Sequence, residues 1–587
     1  MNTHALLHRA KSEYAYAYDK KTLHITLRTA KNDFESVELL YGDPFNWFEK
    51  EWKKYQKKMI KRYQTESFDY YFISIKPEDL RCKYAFILNN NAKSYMYGSK
   101  RLIEYNKEKL DLQNLFNYPY INPEDLPHTP SWVKDTVWYQ IFPDRFYTKK
   151  SLLPWGKLPV YNNEIYGGNI QGIIEKLPYL ADLGITGIYF TPIFEAKTAH
   201  KYDTINYYKI DPSFGTNEDF KELVDKAHSH NIKIMLDGVF NHSGYLHPFF
   251  QDVIKNNETS IYKNSFYIDK FPVVNFELDS NNEPKQHSIK NLNFKTFAYT
   301  PHMPKWNTDD SLTKEHLLGV IEYWIKNYNI DGWRLDVSNE VSHDFLRDIK
   351  KISRNTNPNT FILGENWDQS LPWLQGDQLD SVMNYDLAYP LWEYLEHNID
   401  LNEFINIVNN YLALTPKNAM ENMFNLIDSH DTVRILRRLN DNKDRVKLAY
   451  LFMFLSAGAP NIYYGGEVGL TGDQDPDNRR CMIWDSNKQD LELFNFIKRL
   501  ISLRDKYSVF KDYDYKFLST EILAFTKERN NQKLLVVINN SPEQKTFSVP
   551  NELKDSYLDL INNSVAIYDK ITLDAYDFKL LIKEETN

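Results

Sequence analysis

The chain has 587 residues and a formal net charge of −9, from 71 Lys and Arg against 80 Asp and Glu. A hydrophobic fraction of 42% and a charged fraction of 26% are typical of a folded globular protein, so a fibrous or largely disordered chain is excluded. The mild acidic excess disfavours a nucleic-acid-binding protein, which normally presents a basic surface. No stretch approaches the roughly 18 apolar residues of a membrane span. The first residues lack the apolar core of a signal peptide, so a cytoplasmic protein is expected.

Residues 1–125 predict an N-terminal β-sandwich. Short segments that alternate between apolar and polar residues, at 22–27, 36–41 and 70–75, are separated by polar turns. Several short strands at this spacing are typical of two packed antiparallel sheets. The stretch at 118–130 is rich in proline and polar residues, which is typical of a linker.

Residues 126–505 predict a (β/α)8 TIM barrel. Short apolar runs alternate with amphipathic helical stretches, and eight such strands are the signature of this fold. A doubly wound sheet is the alternative, but it usually has fewer strands and often a Gly-rich first turn, which is missing here. The predicted helices lie at 170–183, 217–230, 313–329 and 343–355. The predicted strands lie at 136–141, 187–190, 232–236, 332–337, 360–363, 381–383, 423–427 and 461–464.

About 95 residues separate the third and fourth predicted strands, which predicts an inserted subdomain at 243–310. After residue 505 the strand pattern returns at 522–526 and 533–538, so residues 506–587 predict a C-terminal β-sandwich. The two cysteines, Cys82 and Cys481, are too few and too far apart for a disulfide framework or a cysteine metal site.

Polar residues follow four of the predicted barrel strands. Asp237 and His242 follow the third strand, Arg334 and Asp336 lie at the end of the fourth, Glu365 and Trp367 follow the fifth, and His430 and Asp431 follow the seventh. One such acidic residue alone is more often a helix cap or a surface charge. Four clusters at the face where barrel enzymes carry their sites favour a catalytic centre.

The residue types at these ends favour glycoside hydrolysis. Arg334 and Asp336 are two residues apart in a strand and therefore project to the same side. A guanidinium beside Asp336 is expected to keep that carboxylate ionised, as a nucleophile must be. Glu365 is then free to serve as a protonated general acid, which completes the pair of carboxyl groups that this chemistry uses. A metal site is the alternative, but no HExxH-like spacing supports it.

Four segments resemble, in order along the chain, the four conserved regions of the α-amylase family of retaining glycoside hydrolases (glycoside hydrolase family 13). They are DGVFNH at 237–242, GWRLDVSNE at 332–340, GEN at 364–366 and IDSHD at 427–431. Within the family, MPKWN at 303–307 and DPDNR at 475–479 are similar to motifs of the neopullulanase, cyclomaltodextrinase and maltogenic amylase group. The N-terminal residues resemble the extra starch-binding-type β-sandwich of that group.

The resemblance implies a role for each matching residue. The catalytic residues would be Asp336 as nucleophile, Glu365 as general acid/base and Asp431 as transition-state stabiliser. The substrate-binding residues would be His242, Arg334 and His430 at the sugar that is cleaved, Tyr202 as its stacking platform, Asp475 and Arg479 on the non-reducing side, and Trp367 and Glu340 on the acceptor side.

The chain departs from the family pattern at three places. Many members carry an Asn- and Asp-rich calcium loop after the first strand, whereas this chain has Lys149 and Lys150 there. Because calcium needs six to eight oxygen ligands, the calcium site is predicted to be lost and no metal or other cofactor is expected. Asn366 and Asp368 flank Trp367 where the group usually reads GEIWH, and Trp306 replaces the leucine of MPKLN.

The resemblance implies a retaining hydrolase, with transglycosylation capacity, that cleaves α-1,4 bonds of cyclodextrins, pullulan and malto-oligosaccharides. An oligo-1,6-glucosidase or a glucanotransferase of the same family is the enzymatic alternative. A glucan-binding protein on an inactive barrel is the non-enzymatic alternative, which the intact Asp336, Glu365 and Asp431 disfavour. A homodimer through the N-terminal domain, whose edge narrows the partner's cleft, is also implied.

Overall fold

The computed structural model describes residues 1–49, 51–90, 93–108 and 110–584. The chain forms two compact units. The first holds Met1–His128, Tyr389–Glu421 and Tyr513–Glu521, and the second holds the remaining segments, Thr129–Ala388, Asn422–Asp512 and Ile522–Asn587. None of the helices within the described ranges has the length and apolarity that crossing a bilayer requires.

The first unit contains the predicted β-sandwich. Alternate residues of both sheets, such as Leu23 and Ile25 from one and Leu39 and Phe86 from the other, meet in a single apolar core. One sheet has the strand order Ala15–Ala17, Leu23–Ala30, Phe68–Ile75 and Ile60–Gln64. The other has the order Leu102–Glu104, Lys93–Tyr97, Cys82–Asn90, Ser36–Gly42 and Tyr55–Lys58, and Phe116–Tyr118 also pairs with Cys82–Asn90.

Two later segments, Tyr389–Glu421 and Tyr513–Glu521, belong to the same unit as this sandwich, which the sequence pattern did not predict. The helix Leu401–Leu414 lies in the first unit, where Tyr70 donates to Oδ1 of Asn410 at 2.8 Å. Nζ of Lys417 donates to the Tyr63 hydroxyl at 2.9 Å. Helical periodicity identifies a buried face but not the element that covers it, so this grouping is a tertiary property.

The second unit is built around the predicted barrel. Residues 129–388 and 422–512, all of them described, contain eight parallel strands in sequence order, and a parallel bridge from Met383 to Phe424 joins the two ends of the sheet. Nearly every strand residue is buried, as expected for parallel strands covered on both faces. The strands are β1 Trp138–Ile141, β2 Gly187–Phe190, β3 Lys233–Gly238, β4 Gly332–Leu335, β5 Phe361–Gly364, β6 Ser381–Val382, β7 Phe424–Asn425 and β8 Ala459–Tyr463.

Helices follow most of these strands, and local signals fix their ends. The helix after β1 begins where the Asn169 side chain caps the backbone N–H of Gly172, and it ends at Gly184, whose φ of 99° is favourable only for glycine. After β5 there is only the short 3₁₀ turn Leu371–Trp373. The principal helices are Ile170–Leu183, Asn217–Ser229, Ser311–Tyr328, His343–Thr356, Tyr385–Leu395, Lys443–Leu455 and Leu491–Lys506.

Residues 243–310 form the predicted insertion between β3 and the helix Ser311–Tyr328. They contain the helix Pro248–Asn256 and isolated bridges, such as Phe266 to Trp306 and Ile268 to Phe294. Toward the C-terminus, an antiparallel sheet has the order Leu523–Arg529, Gln532–Ile538, Phe578–Glu584, Ser556–Asp559 and Ser564–Ile567. A second pair is Lys545–Ser548 with Lys570–Leu573.

Candidate active site

Arg334 lies at the centre of the polar residues that follow the barrel strands. Its Nη1 is 2.9 and 3.0 Å from the carboxylate oxygens of Asp237 and 2.8 Å from Oδ1 of Asp336. Its Nη2 is 2.7 Å from Oε2 of Glu365. The guanidinium is fully buried and the three carboxyl groups are almost fully buried. One guanidinium therefore holds three carboxylates that come from three neighbouring strands.

The register of the parallel strands produces this arrangement. Asp237 on β3 is paired with Arg334 on β4, and Arg334 is in turn paired with Leu363 on β5, two residues before Glu365. Strand β4 ends at Leu335, so Asp336 lies one residue beyond the observed strand, although the predicted strand 332–337 included it. The 2.8 Å contact to Nη1 confirms that Arg334 and Asp336 project to the same side.

Three carboxylates around a single guanidinium make negative charge costly at this site. Burial raises the pKa of Asp336 well above its ordinary value, opposed by Arg334 and reinforced by the nearby charges of Glu365 and Asp237. Burial likewise raises the pKa of Asp237 to about 6, again against Arg334. Arg334 lowers the pKa of Asp336, as expected, but burial and the neighbouring carboxylates outweigh it, because the guanidinium is shared and the carboxyl groups are removed from water.

His430, Tyr202 and Asp431 form the neighbouring part of the site. Gln140 on β1 donates from Nε2 to Nδ1 of His430 at 2.7 Å, which places the ring proton of the neutral imidazole on Nε2. That nitrogen faces the Tyr202 hydroxyl and lies 3.3 Å from Oδ2 of Asp431. The rings of Tyr202 and His430 are nearly parallel, with 6° between their planes. Burial lowers the pKa of His430 well below its ordinary value, so the ring is neutral.

His242 lies under the inserted segment. Its ring stacks on Phe297 with centroids 5.0 Å apart, and its Nδ1 is 3.2 Å from Nδ2 of Asn241. Burial lowers the pKa of His242 to about 3. Its Nε2 has no hydrogen-bond partner within the described part of the chain, so this buried ring nitrogen is available to a ligand hydroxyl.

Asp475 and Arg479, which follow β8, are connected to the same cluster. Nη1 of Arg479 is 3.0 Å from Oδ1 of Asp475, and Nη2 is 3.6 Å from Oδ1 of Asp431. Nε of Arg479 also donates to the carbonyl oxygen of His430 at 3.0 Å. A cavity of about 770 Å³ lies beside these residues, and its lining includes Asn162, His200, Asp203, Tyr245, His302 and Pro476.

The two predicted acceptor-side residues lie in different surroundings. Trp367 is half-buried and donates from Nε1 to Oε1 of Glu365 at 3.1 Å. Glu340 is exposed in the turn Ser338–Glu340, and its carbonyl oxygen accepts from Nζ of Lys305 at 2.9 Å. It lines a separate cavity of about 200 Å³ with Lys305 and Trp306, and that lining does not include Arg334, Asp336 or Glu365.

Three residues of the site were missed or set aside in the sequence. Asp237 was placed after the third strand but was given no role, yet it shares Arg334 with Asp336. Gln140 orients His430, and the Tyr189 hydroxyl donates to Oδ2 of Asp237 at 2.6 Å. Gln140 and Tyr189 both lie inside short apolar strands. A polar side chain within a strand that is buried on both faces was the available signal for them.

The loop after β1 is held by protein groups. Lys149 forms an ion pair with Glu175, and the indole of Trp484 donates to the carbonyl oxygen of Phe146 at 2.6 Å. Within residues 1–49, 51–90, 93–108 and 110–584, no group of three or more His, Cys, Asp or Glu side chains is arranged to hold a metal ion.

Comparison with known protein families matches two regions of the chain. Residues 140–490 match the family described as the alpha amylase catalytic domain. Residues 1–122 match the family described as the alpha amylase N-terminal ig-like domain. The first region contains every residue that surrounds Arg334, and the second covers the sandwich strands.

Individual proteins resemble the chain over nearly its full length. A cyclomaltodextrinase from Geobacillus thermopakistaniensis (strain MAS1) is 42% identical over 569 residues, which cover 95% of this chain and 94% of that protein. An intracellular maltogenic amylase from Bacillus subtilis (strain 168) is 41% identical over 508 residues, 85% of this chain and 84% of that protein. A solved cyclomaltodextrinase structure superposes with a TM-score of 0.92 at 39% identity, covering 99% of this chain and 100% of that one.

Proposed function

The chain belongs to the α-amylase family of glycoside hydrolases, and from that premise we propose that it is a retaining α-glucan hydrolase. It cleaves α-1,4 bonds of cyclodextrins, pullulan and malto-oligosaccharides, and it transfers part of the glycosyl product to sugar acceptors. The names of its relatives support cyclodextrin and malto-oligosaccharide substrates. The MPKWN and DPDNR motifs extend the proposal to pullulan.

The observation that carries this proposal is the contact of Arg334 with both Asp336 and Glu365. The two carboxyl groups bind the two terminal nitrogens of one guanidinium, at 2.8 and 2.7 Å. Because both carboxyl groups contact the same guanidinium, they are held close together. A short separation of the two carboxyl groups is typical of retaining enzymes, in which one of them is the nucleophile.

In the first step, Asp336 attacks the anomeric carbon of the sugar on the donor side. Arg334 holds Oδ1 of Asp336, so Oδ2 is the attacking oxygen. The new C1–Oδ2 bond forms as the glycosidic C1–O bond breaks, and Glu365 gives its proton to the departing oxygen. The products of this step are a glycosyl-enzyme ester on Asp336, an ionised Glu365 and a new sugar hydroxyl, which is on a released fragment of a linear glucan or on the far end of an opened cyclodextrin.

In the second step, the ionised Glu365 takes a proton from a water molecule or from a sugar hydroxyl. The oxygen so activated attacks C1 and breaks the ester to Asp336, which restores both carboxyl groups and the original anomeric configuration. Water gives hydrolysis and a sugar gives transglycosylation. Trp367 and Glu340, on the acceptor side, influence which of the two occurs.

The other polar groups bind the substrate. Asp431 stabilises positive charge that develops on the donor sugar, and the neutral His242 and His430 hydrogen-bond its hydroxyls. The Tyr202 ring stacks against the sugar face. Asp475 and Arg479 bind the next glucose unit on the non-reducing side, next to the cavity of about 770 Å³.

Three further properties belong to the proposal. No metal cofactor is required, because Lys149 and Lys150 occupy the loop that carries calcium ligands in many family members. The protein forms a homodimer through its N-terminal domain, where Phe45, Trp47 and Phe48 are exposed at 75%, 47% and 74%. It is cytoplasmic, like the relative that is named intracellular.

Product analysis with β-cyclodextrin, pullulan and soluble starch in parallel tests the proposal. Rapid opening of cyclodextrin, panose from pullulan and slow cleavage of starch are expected, with no loss of activity in EDTA. Hydrolysis of isomaltose in place of cyclodextrin would favour an oligo-1,6-glucosidase. Binding of these glucans without turnover would instead identify a glucan-binding protein, and the Asp336→Asn variant gives the background rate for that comparison.

A further inference from the structure

The two oxygens of Glu365 have different neighbours. Oε2 lies 2.7 Å from Nη2 of Arg334 and accepts the backbone N–H of Val337 at 2.9 Å. Oε1 accepts the indole N–H of Trp367 at 3.1 Å. Oε2 therefore faces the Arg334 cation and one backbone N–H donor, and both keep their hydrogen atoms in every state of the reaction.

The backbone of Val337 is strained to make one of these contacts. Its φ is +45°, in the left-handed region, which is rare for a β-branched residue. Such a conformation persists only where the surroundings require it, and here it directs the N–H that follows Asp336 at Oε2 of Glu365. Oε2 is thus held as an acceptor, and a proton on Glu365 belongs on Oε1.

Trp367 faces the oxygen that exchanges the proton. We propose that Trp367 is a positioning residue for Glu365, whose fixed indole N–H donates to Oε1 and stabilises the ionised carboxylate more than the acid that is protonated on Oε1. The inference rests on the proposed function. In the first step the proton leaves Oε1 for the glycosidic oxygen and the indole then donates to Oε1. In the second step Oε1 takes the proton of the attacking water or sugar, and the hydrogen bond from the indole weakens.

The ring of Trp367 is held in place for this contact. It stacks on Tyr385 with centroids 4.1 Å apart and 8° between the ring planes. Tyr385 is fully buried at the start of the helix Tyr385–Leu395, which follows β6. The stack fixes the plane of the indole on the barrel scaffold, so the direction of its N–H does not depend on a bound sugar.

Other charged and titratable groups also act on Glu365, and the variants below leave them unchanged. They come from β3, β4 and the segments after β4, β6 and β7: Asp237, Arg334, Asp336, Tyr385 and His430.

The test compares Trp367→Phe, which keeps a flat ring but lacks the N–H, with Trp367→Ala, which removes both. The rate is measured against pH with maltotriose, whose leaving sugar must be protonated, and with α-maltosyl fluoride, whose leaving group needs no proton. With maltotriose, the basic limb of kcat/KM is expected to move about 0.5 to 1 pH unit higher in both variants, because the ionised form of Glu365 loses a donor. With the fluoride, kcat/KM of Trp367→Phe is expected to fall less than it does with maltotriose, since no acid is needed.

An unmoved basic limb in both variants would overturn the inference. So would an equal loss of kcat/KM on both substrates in Trp367→Phe, which would mean that the ring acts on sugar binding alone. Matching melting temperatures for wild type and Trp367→Phe show that the comparison concerns folded protein. A wild-type protein that turns over neither substrate would overturn the proposed function itself.

Discussion

Arg334 and Asp237 form an ion pair at the floor of the site in which Nη1 lies 2.9 and 3.0 Å from the two carboxylate oxygens, with both side chains at 0% exposure. The same nitrogen contacts Asp336 at 2.8 Å. Asp237 and Asp336 therefore compete for one positive charge in a region that is shielded from solvent. The ionisation of the proposed nucleophile depends on a residue that never touches the substrate.

Replacement of Asp237 by Asn is expected to move the acidic limb of kcat/KM to lower pH. The limb reports loss of activity as Asp336 takes up a proton. Asp237 adds to the raised pKa of Asp336 through its negative charge, so its removal lowers that pKa and activity persists to more acidic pH, by about one unit. The pH dependence of β-cyclodextrin hydrolysis measures this shift.

Tyr189→Phe is the matched control for Asp237→Asn. It removes the 2.6 Å hydrogen bond to Asp237 but no charge. Without this donor Asp237 holds a proton more readily and carries less negative charge. The acidic limb of Tyr189→Phe is therefore not expected to move to higher pH, and any move to lower pH should be smaller than in Asp237→Asn. An acidic limb that stays in place or rises in Asp237→Asn would contradict the electrostatic account.

Asp336→Asn and Glu365→Gln are each expected to lower turnover of maltotriose by about 10⁴-fold or more, because each removes one half of the two-step mechanism. Asp336→Asn should not lower the melting temperature appreciably, because burial already disfavours the charge of Asp336 and Arg334 keeps Asp237 and Glu365 as partners. Activity within tenfold of the wild type in either variant, after exclusion of contaminating enzyme, would contradict the assignment.

Much of the barrel could be predicted because local signals agree with the fold. The helix Ile170–Leu183 begins and ends where the sequence predicts, since Asn169 and Gly184 cap it. Strand ends were less accurate. The fourth strand was predicted to reach residue 337 but ends at Leu335, because Val337 adopts a left-handed conformation that apolar alternation does not indicate.

The members of the site could be predicted better than their electrostatics. Asp336, Glu365 and Arg334 were identified from strand ends and motifs, and the structure places them in contact. The number of carboxylates per guanidinium depends on the register between β3, β4 and β5, which the sequence does not encode locally. For that reason the raised pKa of Asp336 could not be predicted from its neighbour Arg334 alone.

Metal removal is expected to leave stability unchanged. Lys149 and Lys150 supply cationic side chains to the loop after β1, and Lys149 pairs there with Glu175. We expect the melting temperature and the cyclodextrin-hydrolysing activity to agree within experimental error in EDTA and in millimolar calcium, at matched ionic strength. A melting temperature that rises with calcium and falls in EDTA would show that oxygen ligands elsewhere hold the ion.

Trp306, which replaces the leucine of the MPKLN motif, packs inside the inserted segment. It is 1% exposed, and its ring stacks on Phe266 with centroids 4.5 Å apart and 19° between the planes. Its Nε1 donates to the Tyr207 hydroxyl at 3.2 Å. The substitution within the motif is thus accommodated by aromatic packing around residues 243–310.

Trp306→Leu restores the group's residue and is expected to destabilise the catalytic unit by about 2–3 kcal/mol, because the smaller side chain leaves a cavity among aromatic neighbours. The melting temperature measures the loss. Trp306→Phe should lose less, since a ring can still stack on Phe266. The ratio of cyclodextrin to pullulan hydrolysis at a temperature well below melting should stay within about twofold in both variants. A changed ratio at unchanged stability would instead identify Trp306 as a specificity residue, acting through the cavity that it shares with Glu340.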